Sequence, residues 1–283
     1  MQALITLVDE PDQKIYEDIS GRIRAFGPEV IPFLEHAWEN NLNTALQSRL
    51  ESLIHSIQYE EIVKDFTQWV EAGGVDLLEG WIILTRYQYP TVNEAELHFE
   101  INQIRKDIWL EMNDNLTALE QIKVFNHVFY DIHGFKGDAE TYHAPGNSFL
   151  NKVLQSRKGN PLSLSIVYLT LAQSLDLPVF GVNLPEHFVL AYTSNIFNPQ
   201  TLMMDKQKVL FYINAFSKGA VFTRQDVEDF LRHLNLESKP SYFEPCSNLE
   251  IIERMINNLI IAYQKEEALE KAKEMIRLRS LLG

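Results

Sequence analysis

The chain has 283 residues, of which 46% are apolar and 23% charged, a mix that supports a buried core and excludes a fibrous or disordered chain. Against 25 Lys and Arg stand 39 Asp and Glu, a formal net charge of −14, so phosphate backbones and anionic lipid are repelled and neither nucleic acid nor membrane is expected as a partner. The single cysteine, Cys246, excludes an internal disulfide and any metal site built on paired cysteines.

The opening stretch Met1–Val8 lacks basic residues and stops at Asp9 and Glu10, unlike a secretory signal, and no run of about 18 apolar residues occurs. The expected location is cytoplasmic. From Ile15 the pattern is helix after helix. Ile15, Ile19 and Ile23 recur four apart, Gly27-Pro28 interrupts, and Val30, Ile31, Phe33, Leu34, Ala37 and Trp38 resume the spacing. Leu42, Leu46, Leu50, Leu53, Ile54 and Ile57 follow, then Ile62, Val63, Phe66 and Val70 up to Gly73-Gly74. Short helices with Gly, Pro or Asn breaks predict antiparallel pairs resembling HEAT units over residues 1–74, without a fixed repeat period. Further helices are predicted over Leu77–Tyr89, Asn93–Met112 and Leu116–Ile132, the last stopped by Gly134. Trp69, Trp81, Tyr87, Tyr89 and Trp109 lie at helical spacing and are assigned to the core.

Residues 134–160 are rich in Gly, Asn, His and single aromatics and read as an ordered loop region. Asn160-Pro161 then supplies a cap and a first-turn proline for an apolar helix through Leu175. Beyond Pro178 the period falls to two, which predicts strands over Val179–Val182, His187–Tyr192 and Val209–Ile213 in a small antiparallel sheet. Helices return at Thr223–Leu234, Asn248–Tyr263 and Lys265–Leu282, the last two as a hairpin. The fold class is α+β, predominantly α, with the sheet packed on a central helix.

Several short stretches carry a resemblance when taken in order. They are Gly134-Phe135-Lys136-Gly137, Tyr142, Asn147-Ser148, the run from Arg157-Lys158-Gly159-Asn160-Pro161 to Leu164, Pro185-Glu186-His187-Phe188, and Tyr212 to Gly219. Together they resemble SirB-type bacterial proteins, which have a transglutaminase-like core followed by tetratricopeptide-like helices. The resemblance spans residues 75–283, with the core over 75–235 and the C-terminal helices over 236–283. It implies a papain-related architecture in which active relatives carry a cysteine at the start of the central helix and a His and an Asp on the following strands. A helix N-terminus suits such a cysteine because exposed N–H groups and the dipole stabilise the thiolate.

Carried over by position, His187 takes the histidine place, Asn214 the third place, where Asp is usual, and Pro161 the nucleophile place. Proline offers no nucleophile. Ser165, one turn further along the same helix face, completes the one catalytic trio available, Ser165–His187–Asn214. It is chemically poor, since replacing the carboxylate of a serine triad by an amide costs about 10⁴ in rate. The commoner reading of His187 is a buried structural histidine, that of Asn214 and Ser217 a turn, and that of Asn147-Ser148 a cap for the helix holding Phe149, Leu150 and Val153. Asn147, Ser148 and Arg157 are the candidate binding residues; Arg157, beside a helix start, is suited to a carboxylate. His127, His133 and His143, with Asp131, do not share a helix face and predict no metal site, and no cofactor is expected. Cys246 is expected to be a packed thiol. The leading expectation is a non-catalytic scaffold binding a protein or peptide, with a basic partner favoured by the negative field. Its rival is a hydrolase or acyltransferase with His187 as base and Ser165 or water as attacker.

Overall fold

A computed structural model describes residues 2–139, 144–194 and 208–283. Tyr142 and His143 lie outside the described residues. The chain forms two compact units, one made by the residues up to Gln68 with Arg86–Pro90, the other by Trp69–Thr85 and everything from Thr91 onward.

In the first unit lie α1 (Gln2–Thr6), α2 (Gln13–Arg24) and α3 (Ile31–Glu39), with most of α4 (Thr44–Glu71). Asp12 starts α2 by accepting the N–H groups of Lys14 and Ile15. The apolar stripe read from the sequence forms a core around Ile23, Val30, Leu34 and Leu50, all fully buried. Two sequence expectations fail here. Where short helices are expected, the stretch after Asn43 is one helix of 28 residues, because no Gly or Pro interrupts it. Leu42, assigned to the stripe, precedes that helix and is 97% exposed.

The second unit holds the end of α4, α5 (Leu77–Gln88) as far as Thr85, α6 (Glu94–Glu111), α7 (Ala118–Asn126) and α8 (Leu150–Ser156). After α7 the chain widens into a π-helical turn, His127–Ile132, where an uninterrupted helix is predicted. Its centre is α9 (Pro161–Gln173), buried at 11 of 13 positions. A helix without a polar face must be covered all round. Cover comes partly from a sheet of four antiparallel strands in sequence order: β3 (Val179–Asn183), β4 (Phe188–Thr193), β5 (Val209–Asn214) and β6 (Ala220–Phe222). All six residues of β4 are buried, and α9 packs on β3 and β4. The mostly helical α+β class expected from the sequence is the observed one. The sheet has one strand more than predicted, and β1 (Lys136–Gly137) and β2 (Lys158–Gly159) add a short parallel pair inside the region read as loop. Both additions are too short to show a period. Trp81 and Trp69 are buried as expected, but Trp109 is 62% exposed on α6.

Three helices close the chain, α10 (Arg224–His233), α11 (Asn248–Lys265) and α12 (Leu269–Arg279), the last two forming the expected hairpin. Ser247 caps α11 through Glu250, and the side chain of Asn248 donates to the carbonyls of Gly74 and Val75.

One polar chain ties α9 to the sheet's last turn. The fully buried Tyr168 donates its hydroxyl to Asn126 Oδ1 at 2.9 Å, and Asn126 Nδ2 donates to the Gly219 carbonyl at 3.0 Å. Gly219 has φ +66°, and a Cβ there would lie 2.1 Å from Asn126 Oδ1. Gly219→Ala is therefore expected to displace Asn126 and leave the Tyr168 hydroxyl without its acceptor. The expected loss is about 2–4 kcal/mol of unfolding free energy, combining a positive-φ penalty with a buried orphan donor. Denaturant unfolding of the variant measures it, and a loss below about 0.5 kcal/mol contradicts the account.

Candidate functional site

The site begins at the cap of α9. Asn160 Oδ1 accepts the Ser163 N–H at 2.9 Å, and the Asn160 N–H donates to Ser163 Oγ at 3.0 Å, a reciprocal cap. Gly159 permits this closeness, since a Cβ there would lie 2.6 Å from Ser163 Oγ. Pro161 sits at the first helical position, where its fixed φ and missing N–H cost no hydrogen bond.

This end of α9 faces a cavity of ≈ 260 Å³. Asn160, Pro161 and Leu162 form one wall, and Ala144 and Ser148 a second. Glu186 and Phe188, at the entry to β4, form a third; Glu186 takes a left-handed conformation (φ +59°) in the turn. The fourth is a face of α11, with Arg254, Asn258, Ile261, Ala262 and Lys265 spaced by whole helical turns. Arg254 is anchored: its Nη1 donates to the Leu184 carbonyl at 2.7 Å and to Asn183 Oδ1, with the guanidinium over the Phe188 ring.

The structure does not assemble the trio Ser165–His187–Asn214. Ser165 is fully buried, its hydroxyl has no hydrogen-bond partner, and it is not among the cavity's lining residues. His187 is exposed, not buried as the commoner reading expected. It precedes β4 instead of opening it, and its ring stacks on Phe230 at 5.2 Å. Asn214 Oδ1 accepts the N–H groups of Phe216 (3.0 Å) and Ser217 (3.2 Å), which closes the turn between β5 and β6. Among the described residues no hydrogen bond links any two of the three. Pro161, at the expected nucleophile position, does line the cavity.

The binding candidates divide. Ser148 lines the cavity, but neither it nor Asn147 caps α8, whose first turn is instead served by Thr85 Oγ1 accepting the Leu150 N–H at 3.1 Å. Ser148 gives its carbonyl to the Trp81 indole N–H at 2.8 Å, and Asn147 Nδ2 donates to Asp138 at 3.3 Å. Arg157 pairs with Glu100 at 2.6 Å and lies over Phe135, outside the cavity lining. His127 pairs with Asp131 and His133 with Asp107, two separate contacts. Among the described residues no three His, Cys, Asp or Glu side chains gather as for a metal ion, and no helix is long and apolar enough to cross a membrane. Cys246 is packed with its N–H on the Gly181 carbonyl. Burial, aided by Glu250, pushes its thiol up to about 12. The α11 wall was missed from sequence, though the polar Arg254, Asn258 and Lys265 at turn spacing in an apolar helix were its available signal.

A family model described as the transglutaminase-like superfamily matches residues 95–257, more than half of the chain and most of the cavity's walls. The chain belongs to the transglutaminase-like superfamily. Among its relatives, the UPF0162 protein of Vibrio cholerae is 27% identical over 196 residues, covering 68% of each chain. The UPF0162 protein of Xylella fastidiosa is 24% identical over 210 residues, 72% of this chain and 70% of that one. F-box only protein 21 of the mouse is 29% identical over 157 residues, 55% of this chain but 24% of the mouse protein, so the similarity covers about a quarter of that relative. No solved structure gives a significant match. In this superfamily member, the helix that opens on the cavity begins with an imino acid.

Two outcomes test the local account. Asn160→Ala should cost about 1–2 kcal/mol of stability, because it removes the cap of a buried helix, while Asn160→Asp, which keeps an acceptor, should cost less. In the native protein at pH 8, iodoacetamide should alkylate Cys246 at least about 1,000-fold more slowly than in urea-unfolded chain, since only the thiolate reacts and unfolded cysteine titrates near 8.5. Because the folded value is the raised one, this thiol's contribution to stability is complete below pH ~8.5 and declines as pH climbs toward about 12.

Proposed function

We propose that this chain is a non-catalytic transglutaminase-like protein, a scaffold or regulator that binds a peptide or protein partner through the cavity at the start of α9. The observation that carries the reading is Pro161. It occupies the first turn of the central helix and lines the cavity, where it presents ring carbons in place of a nucleophile. Two further facts support it. The Ser165 hydroxyl is buried away from the cavity, and the His187 ring lies on Phe230 with no carboxylate or amide among the described residues hydrogen-bonded to it. Cys246, whose thiol burial keeps protonated at neutral pH, is no substitute attacker.

In the finer reading the chain is of the SirB type, and α11 and α12 are tetratricopeptide-like helices. The support is their order, a helical hairpin directly after the core. In this reading α11 supplies a cavity wall, so core and hairpin act as one binding surface. The formal charge of −14 favours a basic partner in the approach. The setting is cytoplasmic, consistent with a lone packed thiol.

The test is turnover of a broad panel of acyl and amide substrates by wild type and His187→Ala. The expected result is no turnover above buffer for either protein. Hydrolysis or acyl transfer by wild type that is lost in His187→Ala would overturn the reading and favour an enzyme with His187 as base.

A further inference from the structure

The cavity's chemistry goes beyond a generic binding pocket. Its walls hold two cations, Arg254 and Lys265, against one carboxylate, Glu186, among the described residues. The lining residues' formal balance is thus +1 in a chain of −14, while Arg254 and Glu186 also border an adjoining depression that holds Glu250 and Glu253. Lys265 has no ion pair among the described residues. Arg254 is held in place by Asn183, Leu184 and the Phe188 ring, so its charge is fixed at the wall before any ligand arrives.

Two uncharged donors face the same space. Ser148 is 4% exposed and lines the cavity, yet its hydroxyl makes no hydrogen bond among the described residues. That hydroxyl is not among the buried unsatisfied groups of the described residues, so water in the cavity serves it and a ligand's acceptor would take the water's place. The other is the first turn of α9. Pro161 has no N–H, the Ser163 N–H goes to Asn160 Oδ1, and the Leu164 N–H goes to the Asn160 carbonyl. That leaves the Leu162 amide as the open donor at a helix N-terminus, where the dipole favours an anion. Beside these groups Phe188 and Ile261 add an apolar surface.

We infer that this cavity binds a carboxylate carried on a small apolar group, and specifically the C-terminal residue of a partner peptide. Donors and cations take the carboxylate while the residue's side chain lies on Phe188 and Ile261. A volume of ≈ 260 Å³ has room for one residue. The inference rests on the reading of this cavity as the partner site, and it concerns only what the partner presents there.

The experiment is a ¹H–¹⁵N chemical-shift titration of the full chain with three probes: N-acetyl-leucine, N-acetyl-leucinamide, and N-acetyl-glutamic acid α-amide, whose carboxylate is on the side chain. N-acetyl-leucine is expected to shift the amides of Leu162, Ser148 and Lys265, with a dissociation constant of about 1–10 mM for so small a ligand. Removing the carboxylate, as in the leucinamide, should weaken binding at least about tenfold, the effect of one to two charge-assisted hydrogen bonds. Lys265→Glu should weaken N-acetyl-leucine at least about fivefold with unchanged thermal unfolding, while Lys273→Glu on α12, an equal change in net charge away from the cavity, should leave it unaltered.

Equal binding of the leucinamide, shifts confined to residues away from the cavity, or no titration at about 50 mM would overturn the carboxylate assignment. Tighter binding of the glutamic acid amide than of N-acetyl-leucine would overturn the chain-terminus assignment. Acyl turnover is a separate readout, so failure of this inference is distinguishable from failure of the non-catalytic reading.

Discussion

The second unit is organised around a helix with nowhere to expose a side chain. In α9 only Thr170 and Gln173 escape full burial, and its interior residues are Leu, Ile, Val, Ala, Tyr and Ser. Such a helix is stable only when every side is covered, because leaving one face wet would forgo about 1.5–3 kcal/mol for each large apolar side chain. Much else follows from that demand. β4 is buried at all six positions because α9 packs on the sheet while Val189 and Ala191 join a second cluster with Val227, Leu231 and Phe243. Tyr168 packs tilted on Phe125 at 4.0 Å and edge-on to Phe129 at 5.5 Å. The two polar chains that link α7 and the π turn to the β5–β6 turn (Tyr168 to Asn126 to Gly219, and Tyr130 to the Ala215 carbonyl) exist because a buried tyrosine hydroxyl must find an acceptor. Desolvation correspondingly pushes the ionisation of both tyrosines far above the ordinary range.

A helix covered on its sides still has an end, and that end is where its backbone polarity emerges. The reciprocal Asn160–Ser163 cap satisfies part of it, and proline at the first position removes a donor without a loss, since that N–H has no partner inside a helix. A cysteine in the same place would keep its N–H and add a thiol that the dipole acidifies. The cap's hydrogen bonds run between Asn160 and Ser163 and do not use the residue at position 161. In the proposed reading, this is why the superfamily's architecture persists here as a binding surface without its nucleophile: the features that stabilise the helix are separable from the atom that would do chemistry.

How far the sequence revealed this depends on the distance over which each feature is set. The cap and start of α9 are visible in Asn160-Pro161 because both act within one turn, and the strands β3 to β5 are visible in period-two runs of Val, Phe and Tyr. The continuity of α4 through Glu71 follows from the lack of any Gly or Pro between Thr44 and Glu71, while Asn43 stands before it and accepts the N–H groups of Ala45 and Leu46. Trp109 follows helical spacing yet faces solvent, since spacing defines a stripe without saying which neighbour covers it. The cap of α8 was misplaced for a similar reason: Thr85, not Asn147 or Ser148, accepts the Leu150 N–H, from 65 residues away in sequence. Pro161 lines the cavity, but position along the chain said nothing of whether His187 would turn inward, and its ring went to Phe230 instead.

In the proposed reading, the cavity's fourth wall is what suits a chain of this charge to an end rather than to a stretch of peptide. The acidic exterior acts over roughly a Debye length, about 8 Å at physiological ionic strength, so it biases the approach of basic segments and is weakened by salt. In the proposed reading, Arg254, Lys265, Ser148 and the Leu162 amide act on a bound terminus at contact distance inside the cavity, against one lining acid, Glu186. A basic segment that stops in a free carboxylate satisfies both fields at once, the long-range one with its side chains and the short-range one with its terminus. A purely acidic peptide would meet the exterior unfavourably, and an internal basic stretch would bring no anion to the open donors. On this argument, the hairpin of α11 and α12 is the element that turns the bare start of a buried helix into a site with a chemical preference.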